Sequence, residues 1–308
     1  MRPFLIFSSI LSLSLQADTI SLFDGKTLDG WEGDKRYWSI EDGAITGKST
    51  AESPCKQTTY LTYTKKQFAN FELNLSFRFL TDTGNGGVQY RSQWQNKEKF
   101  TIKGYQADME TGANYSGILY EQDGRGIVAK RGQNIQISPS GKKTVSPKPI
   151  KDADKVSASI QKGKWNSYRV VADGKRLMHQ INGFTTIRVE DNETNRSAVK
   201  GLLALQLHAG PPMTVQYKDI KMLELAEKRF RANPDDETAI IKSYKSLKAC
   251  GDECTNTPLF TEIVSALVVK RPSAGLYKFL ASKTFKAGDE AQGVAYLEKA
   301  IELEESAD

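Results

Sequence analysis

Three segments of this 308-residue chain carry polar side chains at every second position, interleaved with apolar ones. These polar side chains are Gln89 and Arg91 in the first segment, Gln106, Asp108 and Glu110 in the second, and Gln206 and His208 in the third. Because successive side chains of a β-strand point to opposite faces of its sheet, each set should share one face. Amides, carboxylates and a guanidinium supply the hydrogen bonds that a polyhydroxylated ligand needs. The pattern predicts a sugar-binding cleft, although a plain solvated sheet face would also produce such rows.

Residues near these rows could extend the cleft. Trp94 follows the first row in a polar loop, where its ring could stack on a sugar. Tyr120, Glu121 and Arg125 surround the turn Gln122-Asp123-Gly124, so their side chains are predicted to line the rim. Arg125 could equally be an ion-pair partner of Glu121, an interaction worth ~0–1 kcal/mol if it is exposed.

The segments that must position these residues have the pattern of an all-β domain. From Phe71 to Phe79, aromatic or leucine side chains alternate strictly with polar ones, which predicts a half-buried strand. Asp42-Gly43 and Asn182-Gly183 are dipeptides favoured in tight hairpin turns. Ten or more short strands of this kind predict two antiparallel sheets packed face to face.

The pattern changes after residue 225, where helical spacing replaces alternation. The sequence therefore predicts a β-domain over residues 18–225 and a helical domain over residues 226–308. A helix start is expected at Asn233-Pro234, from a capping Asn followed by Pro. Segments 273–286 and 289–304 predict a helical hairpin with spacing weakly like a tetratricopeptide repeat, although a simple helical appendage explains the same pattern.

Composition and charge exclude several classes of protein. With 39% hydrophobic and 26% charged residues, the chain is an ordinary globular protein rather than a disordered or fibrous one. A net charge of +6, with most of the bases interleaved among acids, gives no clear footprint for binding nucleic acid. Residues 1–17 have a short basic start, an apolar run and a small residue at the end, which predicts a secretory signal peptide. The apolar run is too short to span a membrane, so the mature protein is expected to be periplasmic or secreted.

Three cysteines are too few for a disulfide scaffold. Cys250 and Cys254 flank a turn between two predicted helices and could form a local disulfide in an oxidising compartment, or remain as free thiols. Cys55 has no evident partner.

Several motifs resemble, in the same order, those of the 3-keto-disaccharide hydrolase domain. They are the segments 20–31, 38–45, 86–92, 104–108, 119–121, 165–166, 181–183 and 205–210. The resemblance covers residues 18–225 and leaves the helical tail outside. It implies an antiparallel jelly-roll β-sandwich of the concanavalin A type, distantly similar to family 16 glycoside hydrolases and acting on sugars outside the cytoplasm.

The resemblance also implies a mechanism. Family 16 glycosidases carry two catalytic glutamates flanking an aspartate on one strand, and the comparable residues in this chain are Gln106, Asp108 and Glu110. Because Gln106 cannot act as a nucleophile, ordinary double displacement is disfavoured. A 3-keto sugar permits removal of the C2 proton, elimination of the C1 substituent and addition of water. Asp108 or His208 could then be the base.

The remaining roles of that reaction are assigned as follows. Arg91 is the expected enolate stabiliser and Glu121 a candidate acid. A divalent ion bound by Asp108, His208 and Glu121 could replace the arginine, because carboxylates and imidazole suit such metals.

Two functions from different classes fit these observations. The leading one is cleavage of a glycosidic bond in a 3-keto sugar by an exported enzyme. The alternative is a non-catalytic carbohydrate-binding module whose helical domain docks a protein partner.

Overall fold

A computed structural model describes residues 19–112, 114–250, 255 and 257–306 of the chain, except for the side chains of residues 249 and 250. The predicted signal peptide and the predicted bond between Cys250 and Cys254 lie outside these described residues and side chains.

Two β-sheets form the larger part of the molecule. In spatial order, the first contains β12 (Lys143–Val145), β11 (Asn134–Ile137), β15 (Phe184–Asp191), β14 (Arg176–Ile181), β13 (Asn166–Asp173), β6 (Phe71–Phe79), β17 (Thr214–Glu224), β4 (Ala44–Lys48) and β3 (Trp38–Glu41), with β1 (Ile20–Ser21) also paired to β17. In the same order, the second contains β10 (Gly126–Ala129), β9 (Leu119–Gln122), β8 (Thr101–Glu110), β7 (Asn85–Asn96), β16 (Gly201–Leu207), β5 (Thr59–Phe68) and β2 (Trp31–Glu32).

The local sequence explains these strands. In β6 the five apolar residues are buried and the polar ones between them are half-buried, as the alternation predicts. Asp42-Gly43 and Asn182-Gly183 have positive φ at both positions and connect β3 to β4 and β14 to β15, which confirms both predicted hairpin turns. One pair departs from the antiparallel expectation, because β11 runs parallel to β15.

The hydrophobic core lies between the two sheets. Phe71 and Phe77 of β6 contribute from one sheet, and Tyr90 and Tyr105 contribute from the other. The Phe71 and Tyr90 rings meet edge to face with centroids 6.1 Å apart. Each such side chain adds roughly 1.5–3 kcal/mol of burial free energy. The all-β sandwich predicted from the sequence is therefore the observed architecture.

One short helix belongs to the sandwich, and the described helices after it form a second unit with its own core. The helices are α1 (Lys155–Ser159), α2 (Leu225–Ala232), α3 (Glu237–Cys250), α4 (Pro258–Lys270), α5 (Ala274–Lys286) and α6 (Glu290–Glu305). Phe230, Ile240, Phe260 and Ile263 are among the residues buried in the second core. Within the described residues, no helix has the length and apolar character needed to cross a bilayer.

The predicted helix start at Asn233 is wrong by one turn. Asn233 follows the end of α2, and its backbone N–H donates to the Phe230 carbonyl. Residues 234 and 235 form a turn instead, and α3 starts at Glu237. Asp236 caps α3 instead, since its carboxylate accepts from the Ala239 N–H at 2.6 Å.

Candidate active site

A pocket of about 250 Å³ lies on the outer face of the seven-stranded sheet. Its floor crosses three strands, because Gly87 of β7 is paired with Asp108 of β8 on one side and with Gln206 of β16 on the other. Neighbouring strands lie ~4.8 Å apart, so the Asp108 and Gln206 side chains start ~10 Å from each other. The lining residues are Asn85, Gln106, Asp108, Tyr115, Ile118, Tyr120, Gln122, Ile127, Gln206 and His208. The pocket therefore holds five residues that the sequence singled out.

Asp108 is the ionisable group at the floor of the pocket. Only 6% of its surface is exposed, and Gln106 Nε2 donates to its Oδ1 at 2.9 Å. Burial raises the pKa of Asp108 to about 7, and the nearby negative charge of Glu110 contributes in the same direction. A carboxyl group with this pKa can both accept and release a proton near neutral pH, as general acid–base catalysis requires.

His208 lies one residue beyond the end of β16 and is exposed at the pocket. Its Nδ1 is 2.5 Å from the Ala209 carbonyl oxygen, which assigns the proton of the neutral ring to Nδ1. The following loop is held by a hydrogen bond of 3.1 Å from the Ala209 N–H to Thr58 Oγ1. In the neutral ring, Nε2 then carries the lone pair with which His208 can accept a proton.

A chain of buried amides lies beside and beneath the pocket. Ser92 Oγ donates to Gln89 Oε1 at 2.7 Å, and Gln89 Nε2 donates to Gln106 Oε1 at 2.9 Å. Gln106 Nε2 contacts Gln206 Oε1 at 3.3 Å as well as Asp108. Gln89 was predicted to bind substrate, but it is fully buried and does not line the pocket. Its contact is with Gln106.

The opposite wall of the pocket is partly apolar and comes from the segment after β8. Glu110 was predicted to bind substrate, yet it shapes this wall: its Oε1 accepts from the backbone N–H groups of Asn114 at 2.7 Å and Tyr115 at 2.6 Å. Tyr115 projects into the pocket region and is 45% exposed. A loop residue of this kind has no periodic signal in the sequence. Asn85 did have such a signal, because it lies four residues before Gln89 and an even spacing places both on the same face of a strand.

Arg91 does not join the polar row. A register shift in β7 between Tyr90 and Gln93 breaks the alternation, and Arg91 has a φ of 48°. Its guanidinium is buried and donates to the carbonyls of Ala69 and Gly174, both at 2.7 Å. Arg91 therefore ties loops together outside the pocket, and its predicted role as enolate stabiliser is not supported.

Glu121 and Arg125 also lie outside the pocket. Because Tyr120 faces the pocket, its neighbour Glu121 points to the other side of β9, where it pairs with Arg125. Arg125 also contacts Asp191 at 2.6 Å, a buried residue of the other sheet. Burial opposes the charge of Arg125, but hydrogen bonds to Asp191 and Glu121 outweigh it and raise its pKa. The Arg125–Asp191 pair links the two sheets. The Glu121–Arg125 ion pair is the alternative that the sequence left open, and the predicted rim and acid roles are not supported.

The proposed metal ligands are not assembled either. Asp108 and His208 share the pocket, but Glu121 is held by Arg125. Among the described residues, no group of three or more His, Cys, Asp and Glu side chains is placed to bind a metal ion. Trp94 was predicted to stack on a sugar. It is half-buried, pairs with Ile102 across β7 and β8, and does not line the pocket.

A family model and a curated relative point to one family. Residues 18–223 match the model of the 3-keto-alpha-glucoside-1,2-lyase-like domain. A curated 3-keto-disaccharide hydrolase from Bacteroides thetaiotaomicron is 36% identical over 91 residues. That match covers 27% of this chain and 31% of the relative, so it spans less than a third of the relative's length.

Solved structures with similar folds are more distant in sequence. A putative glycosyl hydrolase from Parabacteroides distasonis is 19% identical, with a TM-score of 0.45, covering 67% of this chain and 99% of that one. The carbohydrate binding module CBM66 from Bacillus subtilis is 13% identical, with a TM-score of 0.41, covering 63% of this chain and 96% of that one.

Proposed function

Because the chain belongs to the 3-keto-alpha-glucoside-1,2-lyase-like family, we propose that it cleaves a glycosidic bond of a 3-keto sugar in the pocket around Asp108. The observation that carries the proposal is a buried carboxyl group, with its pKa raised to about 7, in the same pocket as an exposed imidazole. A proton acceptor and a proton donor on one ligand-sized pocket are what an elimination requires.

The proposed reaction begins at the C2 carbon, whose hydrogen is acidified by the neighbouring ketone. The Asp108 carboxylate removes this proton, and the electron pair of the C–H bond passes through an enolate to form the C1–C2 double bond as the C1–O bond breaks. Protonated His208 gives its Nε2 proton to the leaving oxygen. Asn85 and Tyr120, which line the same pocket, carry N–H and O–H groups suited to the enolate oxygen.

The second half of the reaction adds water and restores both groups. His208 Nε2 takes a proton from the water molecule whose oxygen bonds to C1, and Asp108 returns its proton to C2. The net change is hydrolysis of the glycosidic bond. The pocket volume of about 250 Å³ is below the ~300–1,000 Å³ of sites for drug-sized ligands, which suits a single sugar ring.

We also propose that the enzyme acts in the periplasm or outside the cell. The support is the layout of residues 1–17, with a basic start, an apolar run and a small final residue. Detection of the mature protein in a periplasmic or culture fraction, with its N-terminus near residue 18, tests this proposal.

The function is tested with a panel of 3-keto-glycosides, by measuring the release of free sugar. The wild type should cleave at least one member of the panel. Asp108→Asn keeps the shape of the side chain but removes the base, so turnover should fall by about two to four orders of magnitude. Asp42→Asn is the matched control, because Asp42 lies in an exposed hairpin turn where Asn is equally favoured.

Two results would contradict the proposal in different ways. If Asp108→Asn cleaves as fast as the wild type, the assigned base is wrong. If the wild type binds 3-keto sugars but cleaves none, the protein is a carbohydrate-binding module.

A further inference from the structure

We propose that Gln89 and Gln106 form a reversible hydrogen-bond relay whose direction follows the proton on Asp108. Gln89 is then a positioning residue that acts on Asp108 through Gln106. The relay is a property of the buried side chains alone, while its use in catalysis rests on the proposed function.

In the observed arrangement the three hydrogen bonds that connect Ser92 to Asp108 all run towards the carboxylate. Ser92 Oγ donates to Gln89, Gln89 Nε2 donates to Gln106, and Gln106 Nε2 donates to Asp108 Oδ1, over 2.7, 2.9 and 2.9 Å. On a side branch, Gln106 Nε2 also meets Gln206 Oε1, and Gln206 Nε2 donates to the Tyr60 hydroxyl at 3.2 Å. An ionised carboxylate can only accept, so this direction suits the charged form of Asp108.

Protonation of Asp108 makes the opposite direction the better one. A carboxylic acid donates, and an amide rotated by 180° exchanges its oxygen and nitrogen at the same positions. Asp108 would then donate to Gln106 Oε1, Gln106 Nε2 to Gln89 Oε1, and Gln89 Nε2 to Ser92 Oγ. The Ser92 hydroxyl already lies 3.1 Å from the Tyr90 carbonyl, which can accept its proton.

The side branch reverses in the same way. Gln206 Nε2 would donate to Gln106 Oε1, and the Tyr60 hydroxyl would donate to Gln206 Oε1. Apart from Asp108, every member of both branches is an amide or a hydroxyl, so each has a donor and an acceptor to exchange. A buried polar group left unpaired destabilises the folded state, and the relay avoids that loss with either form of Asp108.

Burial keeps water from taking over these hydrogen bonds. Gln89, Gln106 and Gln206 are 0%, 3% and 1% exposed. Gly87 leaves the space that the Gln106 side chain occupies, since a Cβ atom at position 87 would lie 2.8 Å from the Gln106 side-chain carbons. Within this network, the amides therefore have each other, Ser92, Tyr60 and the carboxyl group as their partners.

The charged and titratable groups around Asp108 lie on β5, β8, β9, β13 and β17 and on the loops after β8 and β16. The group on β17 is Tyr217, whose hydroxyl donates to the Gln206 carbonyl at 2.8 Å. Glu110 lies on the same strand, His208 and Tyr115 on the flanking loops, Tyr120 on β9, and Tyr60 on β5. On the core side, the Tyr168 hydroxyl donates to the Asp108 carbonyl at 3.2 Å. Glu110 is held by two backbone N–H groups, and burial raises the pKa values of Tyr60 and Tyr168. Asp108 is the carboxyl group that accepts directly from Gln106, so the reversal is assigned to its proton.

In the proposed reaction Asp108 must accept a proton and return it in each cycle. A relay that reverses keeps both forms hydrogen-bonded, so neither half of the cycle leaves a buried group unpaired. Gln89 contributes to the rate in this way without touching the sugar.

The direct test uses nuclear magnetic resonance on the wild type labelled with ¹⁵N in glutamine side chains, without substrate. Above the titration midpoint of the Asp108 carboxyl group, the Gln89 amide protons should be close to Gln106. Below it, they should show an Overhauser contact with the Ser92 Hβ protons. If the carboxyl group titrates and this contact does not change, the relay is refuted. The test is independent of catalysis, so it separates failure of the relay from failure of the proposed function.

A pair of variants tests the catalytic use of the relay. Gln89→Met fills the same space, but the hydrogen-bond relay then ends at Gln106. We therefore expect kcat to fall about tenfold with KM unchanged. Gln216→Met is the control: Gln216 is also fully buried, but it bonds Arg78, Thr46 and the Glu41 carbonyl in the other sheet. A raised KM with unchanged kcat in Gln89→Met would make Gln89 a substrate-binding residue and overturn the positioning role. The resonance experiment needs neither variant to fold.

Discussion

At the scale of single residues, the burial of Asp108 should make stability depend on pH in an unusual direction. The native pKa of about 7 lies above the ordinary value of 3.8, so the native state holds a proton that the unfolded chain releases between these values. Stability attributable to Asp108 is therefore lost as pH rises from about 4 to 7 and stays lost above that. The penalty at high pH is up to about 4 kcal/mol.

Asp108→Asn removes this penalty, because an amide does not ionise. We expect the variant to melt at a higher temperature than the wild type at pH 8, and at nearly the same temperature at pH 4. Thermal unfolding at both pH values measures the difference. An equal shift at the two values would show that ionisation of Asp108 is not the cause.

Gly87 is a second residue with a specific prediction. Gly87→Ala places a methyl group 2.8 Å from the Gln106 side chain, which is held by Gln89, Asp108 and Gln206. We expect turnover to fall at least tenfold, through displacement of Gln106, whereas Gly275→Ala should have no effect because open space surrounds that position. Unchanged kinetics for Gly87→Ala would show that the position of Gln106 is unimportant.

Strand parity explains which site residues could be predicted. Gln106, Asp108 and Gln206 keep the alternation of regular strands, and the structure places them around one pocket. Tyr120 and Glu121 were both assigned to the rim, although neighbours on a strand face opposite sides. Only Tyr120 lines the pocket.

At the scale of elements, the same reasoning fails where a strand is irregular. The bulge in β7 turns Arg91 away from the row predicted for it, and no Gly or Pro between Tyr90 and Gln93 announces the irregularity. The β6 alternation and the Asp-Gly and Asn-Gly hairpins, by contrast, depend on local geometry alone and were predictable. Pairing partners distant in sequence, such as β11 and β15, have no local signal.

The link between the sheets gives a prediction at this scale. Arg125→Met leaves the buried carboxylate of Asp191 without its cation, so we expect a loss of about 3–5 kcal/mol in the free energy of unfolding. Arg36→Met is the control, because the Arg36 side chain is 74% exposed in its pair with Asp34, and exposed pairs contribute ~0–1 kcal/mol. Urea denaturation of both variants measures the losses.

The sequence left two roles open for Arg125, substrate binding at the rim or an ion pair with Glu121, and kinetics can separate the binding role from the structural one. A structural link predicts an unchanged KM for Arg125→Met under conditions where the variant is folded. A large rise in KM with unchanged stability would restore the assignment to the rim.

At the scale of the whole molecule, the sandwich and the α2–α6 helices have separate cores, and the described residues join them through Ala69, which packs against the helical core, and through polar contacts. Asn70 Nδ2 donates to Ser246 Oγ at 2.6 Å, and Arg229 pairs with Asp173 at 2.9 Å. The exposed loop at 233–236 connects α2 to α3. We expect limited proteolysis to cut first in this loop and to leave a stable fragment that contains the sandwich. Mass spectrometry of the fragment locates the cut, and degradation of the whole chain at one rate would indicate a single folding unit.

The position of β17 has a consequence for the timing of synthesis. This strand is the last of the sandwich along the chain, yet it lies between β6 and β4 and also pairs with β1. A ribosome must therefore synthesise the chain as far as residue 224 before the first sheet can be completed. Every shorter nascent chain leaves the edges of β6 and β4 unpaired. For a protein that is exported as proposed, a secretion channel would receive an unfolded polypeptide rather than a folded β-sandwich. Topology would then keep the first sheet incomplete, and the chain transferable, until residue 224 has been synthesised.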